Sequence, residues 1–284
     1  MQQSYNIDLN SARQGYLSPA MDGRFYMRND EQRRITFSAY SPAYVSSNEL
    51  VHELMLLLKP RGKTALAVAG SGDVPFMLTA YGAKCVDTFD ISYNARVIMD
   101  IKTYMLRSGM FFYDYLFDLD CLKNNSATLL DSRFTKIVRH AVTSETWKYL
   151  DGMRGCQIFR PVKPDTKEFY PNMQEFENMQ RNVNERYNFI WTDAFNICDH
   201  ISGKTYDIIY LSNVFQYFQY DDDIRNLLCN LRHHVNPNGV IVIDSLLWFL
   251  MSMRMEKYQK ITKDFDWAEF VCSGFARTAF RKVK

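Results

Sequence analysis

Residues 65–90 read ALAVAGSGDVPFMLTAYGAKCVDTFD and decide the fold. A short apolar run leads into the turn Gly70-Ser71-Gly72-Asp73, and apolar residues at helical spacing follow as far as Gly82. A second apolar run then ends on Asp90. A strand, a glycine turn, a helix and a second strand closed by an acid are typical of the βαβ unit of a parallel sheet. This stretch therefore predicts an α/β fold.

Further strands are indicated on the C-terminal side of this unit. Apolar runs at 188–192, 206–211 and 240–243 each end in polar residues, as parallel strands do where a site is built at their carboxyl ends. Two runs at 270–272 and 276–283 are consistent with an antiparallel hairpin at the sheet edge. The sequence therefore predicts a Rossmann-like, seven-stranded, mostly parallel sheet with helices on both faces.

The chain divides into four parts by its pattern. Residues 1–46 are polar and predict an N-terminal cap, while 47–108 contain the first half of the sheet domain. Residues 109–187 lack the apolar runs that are typical of parallel strands. Helical patterns in this segment predict an inserted, mainly helical subdomain or lid. Residues 188–284 contain the second half of the sheet domain.

Composition excludes several classes of protein. The 284 residues carry 34 basic and 32 acidic side chains, so we expect no nucleic-acid partner. No apolar run reaches the roughly 18–20 residues of a membrane-spanning helix, and the start of the chain lacks the pattern of a signal peptide. We therefore expect a cytoplasmic protein without a transmembrane segment. The six cysteines form no CxxC pair, which predicts no metal site.

Four phrases, ALAVAGSGD, DTFDIS, YDIIYLSNVFQYF and LRHHVNPNGVIVIDS, resemble class I S-adenosylmethionine-dependent methyltransferases. This cofactor needs a backbone that comes close to its amino-acid end, and Gly70 and Gly72 have no Cβ to block that approach. It also needs an acceptor for its ribose hydroxyls, and Asp90 ends the second strand. The resemblance implies that the cofactor is bound by Gly70, Ser71, Gly72, Asp73, Asp90, Ile91, Asp193, Ala194, Ser212 and Asn213.

A narrower resemblance covers about half of the chain. The stretch from AVAGSGDVPF to IKTYML, with YDYLFDL and VTSETWKYLDGM downstream, resembles the betaine-lipid synthase family, in which Gly-Asp follows the turn and a lysine lies in the next helix. That family transfers a 3-amino-3-carboxypropyl group. The resemblance and the need for a base make Tyr113 and Asp114 the candidate catalytic pair, while Arg33 and Gln216 are candidates for acceptor binding.

Three functions remain open from the sequence. The first is an aminocarboxypropyl transferase that acts on a hydroxyl or amine of a small molecule or lipid and releases methylthioadenosine. The second is a small-molecule methyltransferase, although Ala67 and Val74 depart from the usual methyltransferase turn. The third is a non-catalytic binding module. A nicotinamide dehydrogenase is disfavoured because Pro75 stands at the third glycine of GxGxxG. The oligomeric state is left open, and a homo-oligomer fits the sequence.

Overall fold

The structure of the chain is a computed structural model. It describes residues 41–47, 49–124, 134–154, 158–160, 168–183, 187–214, 221–244, 265–272 and 275–282. Of the predicted site residues, Arg33 and Gln216 lie outside these ranges.

Nine strands are present in the described residues. They are β1 (Ala43–Tyr44), β2 (Thr64–Val68), β3 (Cys85–Asp90), β4 (Phe159–Arg160), β5 (Asn188–Trp191), β6 (Tyr206–Tyr210), β7 (Val235–Asp244), β8 (Phe265–Cys272) and β9 (Phe275–Lys282). The short strands β1 and β4 pair in parallel, and the other seven form one sheet in the order β5-β3-β2-β6-β7-β9-β8. The first five strands of this order pair in parallel, and β9 pairs antiparallel with both of its neighbours.

The described helices are α1 (Val51–Leu58), α2 (Asp73–Ala80), α3 (Tyr93–Arg107), α4 (Phe112–Asn124), α5 (Thr135–Ala141), α6 (Ser144–Gly152), α7 (Met173–Asn182), α8 (Ile197–His200) and α9 (Asp221–Leu231). Helix α1 begins at Val51, and its N-cap residue, Leu50, makes no side-chain cap. The N–H of Ser47, which precedes the helix, donates to Asp73.

Residues on alternate sides of the central strands enter two hydrophobic clusters. In β2, Ala65 and Ala67 belong to one cluster with α2 and α3, while Leu66 belongs to the other with α8 and α9. Successive side chains of a strand point to opposite faces, so both faces of the sheet are covered by helices. The predicted α/β class, with a parallel sheet flanked by helices, is confirmed.

The order of the strands creates a crevice beside β2. The chain passes from β2 to β3 on one side of it, and later enters β6 on the other side. Loops leaving the carboxyl ends of β2 and β6 diverge at such a point, and ligands of α/β sheets bind there. The topology therefore places a candidate site next to the glycine turn.

Helices α4 to α7 come from the segment between α3 and β5. Their buried residues, including Tyr115, Leu119 and Phe176, belong to the same hydrophobic cluster as β2 and α3. The described part of this segment therefore packs directly against the sheet and its helices.

Candidate functional site

A cavity lies at the carboxyl ends of β2, β3 and β6. The empty space within it and in front of its open mouth amounts to about 1080 Å³, open solvent included. Predicted site residues in its wall are Gly70, Ser71, Asp90, Ile91, Asp193, Ala194, Ser212 and Asn213. Sequence positions from four separate segments are thus brought together. Gly72 and Asp73 do not line this cavity.

The two glycines of the turn have different roles. Both have positive φ, 52° at Gly70 and 85° at Gly72. A Cβ at Gly70 would meet nothing within 4 Å, because the residue borders the cavity. A Cβ at Gly72 would lie 2.8 Å from the ring of Phe76 and 3.1 Å from Met99. Gly70 leaves space for a ligand, whereas Gly72 allows α2 to pack against α3.

This difference predicts unequal costs for alanine. Gly70→Ala should destabilise the fold by about 1 kcal/mol, from backbone strain alone. Gly72→Ala should cost about 2–4 kcal/mol, because overpacking adds to the strain. Urea unfolding of both variants measures these costs, and equal losses would contradict the assignment of Gly72 to packing.

Asp90 is tied to the glycine turn through its carboxylate. Oδ2 accepts the N–H of Gly70 at 2.9 Å, Oδ1 accepts the N–H of Ser92 at 2.8 Å, and the N–H of Ile91 also hydrogen-bonds to the side chain. Burial raises the pKa of Asp90 to about 6. Since a carboxylate has about four acceptor positions, these three donors leave about one for a ligand hydroxyl.

Asp193 lines the cavity but is largely engaged with its own loop. Its carboxylate accepts the N–H groups of Phe195 and Asn196, each at 2.9 Å, and the side-chain amide of Asn196 at 3.0 Å. This arrangement fixes the loop after β5, so that Ala194 forms part of the cavity wall. Asp193 therefore holds this part of the cavity wall in place. The predicted contact between Asp193 and the cofactor remains a prediction.

One wall of the cavity comes from the segment before α1. We call residues 41–47 together with Glu49 the strap. Ser41, Tyr44, Ser47 and Glu49 line the cavity with other strap residues. Across the cavity, the Oγ of Ser212 hydrogen-bonds to the carboxylate of Glu49. The strap thus connects to the loop that follows β6.

Several hydrogen bonds hold the strap in place. The carbonyl of Ser41 accepts from the Oγ of Ser92 at 2.6 Å and from the side-chain amide of Asn94 at 3.2 Å. The carbonyl of Ser47 accepts the N–H of Phe169 at 2.7 Å. The strap is therefore anchored both to the start of α3 and to the segment that precedes α7.

Asp73 lies under the strap in a buried ion pair. Its Oδ1 lies 2.6 Å from the Nζ of Lys102, and the side chains are 6% and 0% exposed. Oδ2 accepts the N–H of Ser47 at 2.7 Å and the Oγ–H of Ser71 at 2.9 Å. Burial lowers the pKa of Lys102, and the charge of Asp73 opposes that shift. Asp73 therefore joins the glycine turn, α3 and the strap.

The predicted catalytic pair lies elsewhere. Helix α4 buries Tyr115, Leu119 and Leu122, which share one face. Tyr113 and Asp114 fall on the outer face, where Tyr113 is 72% exposed, and neither lines the cavity. The structure thus does not bring these two residues to the site.

Sequence reasoning missed the strap. Tyr44, Ser47 and Glu49 lie in a polar stretch whose residues resemble an ordinary helix cap, and only long-range contacts bring them to the cavity. The one local signal is the pair of serines before α1, where the N-cap position has no side-chain cap.

Within the described ranges, no group of histidine, cysteine and acidic side chains is arranged to hold a metal ion. In the same ranges, no helix has the length and apolar character needed to cross a membrane.

Comparison with known proteins gives structural likenesses at low identity. No protein-family model matches the chain, and no curated protein matches it. The N-methyltransferase NodS from Bradyrhizobium japonicum WM9, solved with S-adenosylhomocysteine, is 10% identical with a TM-score of 0.43, and the match covers 82% of this chain and 86% of NodS.

Magnesium protoporphyrin IX methyltransferase from Synechocystis PCC 6803, solved with S-adenosylmethionine, is 11% identical with a TM-score of 0.42, and the match covers 83% and 79% of the two chains. An rRNA methylase from Streptococcus thermophilus is 8% identical with a TM-score of 0.42, over 83% and 98%. The ligand and the reaction of this chain are therefore inferred from its own cavity.

Proposed function

We propose that the chain is an enzyme that binds S-adenosylmethionine in this cavity and transfers its methyl group to a small-molecule acceptor. The observation that carries the proposal is the contact between Gly70 and Asp90. A glycine with open space above it and a carboxylate at the end of the next strand border the same cavity, 2.9 Å apart. These are the two features that an adenosine with an attached amino acid requires.

The residues in the wall fit the parts of this cofactor. Asp90 has acceptor capacity left for a ribose hydroxyl, and the apolar side chains of Ile91, Ala194 and Val214 suit an adenine ring. The amino-acid end fits beside Gly70, where the beginning of α2 favours its carboxylate. When bound, the sulfonium supplies an activated methyl group, and the protein orients the acceptor and excludes water.

The choice of a methyl group rests on which segments form the wall. Ser212 and Asn213 follow β6, which is part of the phrase that resembles methyltransferases, and both border the cavity. Of the phrases that resemble the betaine-lipid synthase family, the stretch with the glycine turn and Asp90 borders the cavity, whereas those at 113–119 and 142–153 do not. Tyr113 and Asp114 therefore have no part in this proposal.

Aminocarboxypropyl transfer is the second candidate, because Asp73 and Lys102 touch each other. They are the turn aspartate and helix lysine of the narrower resemblance. Incubating the purified protein with S-adenosylmethionine and a cell extract, followed by mass spectrometry of the nucleoside, separates the candidates. Adenosylhomocysteine supports methyl transfer, and methylthioadenosine supports the second candidate. Binding without either product indicates a binding module.

The raised pKa of Asp90 predicts a pH dependence for binding. A ribose hydroxyl donates best to the ionised carboxylate, so affinity should be highest above pH 6 and fall as the pH falls through 6. At pH 5, only about a tenth of the groups remain ionised, and affinity for adenosylhomocysteine should be about tenfold weaker than at pH 7.5. Calorimetry at the two pH values measures the change. In Asp90→Ala the difference should disappear, and a persisting difference would assign it to another group.

A further inference from the structure

The described part of the cavity wall is acidic. Glu49, Asp90 and Asp193 border it, and no lysine, arginine or histidine does so among the described residues. A cleft lined by one sign of charge attracts ligands of the opposite sign. This wall suits a sulfonium and disfavours an acceptor that carries phosphate or carboxylate.

Two of these three carboxylates are engaged with backbone N–H groups. Asp90 accepts from Gly70 and Ser92, and Asp193 accepts from Phe195 and Asn196. Backbone donors are fixed by the fold, so Asp193 mainly holds its loop in place, and the remaining acceptor position of Asp90 is assigned to the ribose. They have little capacity left to bind an acceptor.

Glu49 has partners of a different kind. Two of its contacts are with hydroxyl groups, the Oγ of Ser47 at 3.4 Å and the Oγ of Ser212. A serine hydroxyl rotates and also accepts hydrogen bonds, so it adapts when a donor approaches the carboxylate. Ser212 has φ of 52°, a value that residues other than glycine rarely adopt and that is found at functional sites. Glu49, Ser212 and Gly70 all border the same cavity.

We propose that Glu49 binds the amino group of the acceptor, and that the acceptor is therefore a small amine. The inference rests on the proposed function, because it uses the same cavity. A neutral amine attacks the methyl carbon, the nitrogen–carbon bond forms as the carbon–sulfur bond breaks, and the electron pair of that bond stays on sulfur. The proton released from nitrogen passes to the carboxylate of Glu49. Ser212 positions this carboxylate.

Calorimetry with two probes tests the proposal without knowledge of the acceptor. Adenosylhomocysteine has no group at the position of the methyl, whereas sinefungin has an amine there, which is protonated at pH 7.5. A charge-assisted hydrogen bond to Glu49 should make the wild-type protein bind sinefungin about 10- to 100-fold more tightly than adenosylhomocysteine. The variant Glu49→Gln keeps the shape of the side chain and removes its charge. It should bind both probes with affinities within about threefold of each other.

Glu177→Gln is the matched control, because Glu177 is exposed on α7. It should keep the wild-type preference for sinefungin. Equal affinities of the wild-type protein for the two probes would overturn the proposal. This outcome is measured on the wild-type protein alone, so it does not depend on whether a variant folds. A preference that survives in Glu49→Gln would also overturn it. If the wild-type protein binds neither probe, the proposed cofactor site itself fails, which is a different outcome from binding both probes equally.

Discussion

Lys102→Met is expected to destabilise the fold by about 3–5 kcal/mol, because it leaves the charge of Asp73 buried without its partner. The Nζ of Lys102 lies 2.6 Å from Asp73, and its side chain is fully buried. Methionine has similar length but carries no charge, so the loss reports mainly on the ion pair. Urea unfolding of wild type and variant measures the difference.

A second substitution separates the charge from the packing. In Lys102→Met combined with Asp73→Asn, no charge remains buried, and the asparagine oxygen still accepts the N–H of Ser47. The double variant should regain at least about half of the lost stability. Lys148→Met, on the exposed side of α6, should stay within about 0.5 kcal/mol of wild type. A loss below about 1 kcal/mol in Lys102→Met would mean that the pair does not stabilise the fold.

The central part of the fold could be predicted because its signals are local. The turn at Gly70 and Gly72 is specified by positions that only glycine occupies without strain, and Asp90 follows directly from the end of β3. The alternation of Ala65, Leu66 and Ala67 between two clusters is the periodicity of a strand covered on both faces. Neighbouring residues determine each of these features.

The remaining part of the site depends on contacts between distant residues. Glu49 reaches Ser212 across 163 positions, and Ser46 reaches Glu168 across 122. No local pattern identifies such partners, so the strap resembled an ordinary cap. Asp73 is a second case. Its position in the turn indicated a ligand contact, whereas the structure pairs it with Lys102, which lies 29 positions later.

The surface position of Tyr113 and Asp114 has a similar physical cause. Their motif was matched by resemblance, but the face that α4 buries is set by Tyr115, Leu119 and Leu122. These residues are spaced four and three apart, which places them on one side of a helix. The apolar spacing within α4 was therefore a better guide to orientation than the motif.

The two ends of the site are linked through the ion pair. Asp73 accepts from Ser47 in the strap and from Ser71 in the glycine turn, so the turn and the strap share one buried carboxylate. Because Ser71 and Ser47 both border the cavity, a change at Asp73 alters two walls together. The pair thus connects two walls of the cavity, although neither residue lines it.

Asp90→Ala is expected to weaken binding of adenosylhomocysteine by about 1–3 kcal/mol, or roughly 5- to 150-fold in affinity. The substitution removes the acceptor proposed for the ribose and also frees the N–H groups of Gly70 and Ser92, which Asp90 now binds at 2.9 and 2.8 Å. Asp114→Ala, on the exposed face of α4, is the matched control and should bind like wild type. Calorimetry at pH 7.5 measures both affinities, and circular dichroism checks that each variant is folded. If folded Asp90→Ala binds as tightly as wild type, the ribose lies elsewhere. The glycine turn and the end of β3 would then be joined for the stability of the sheet alone.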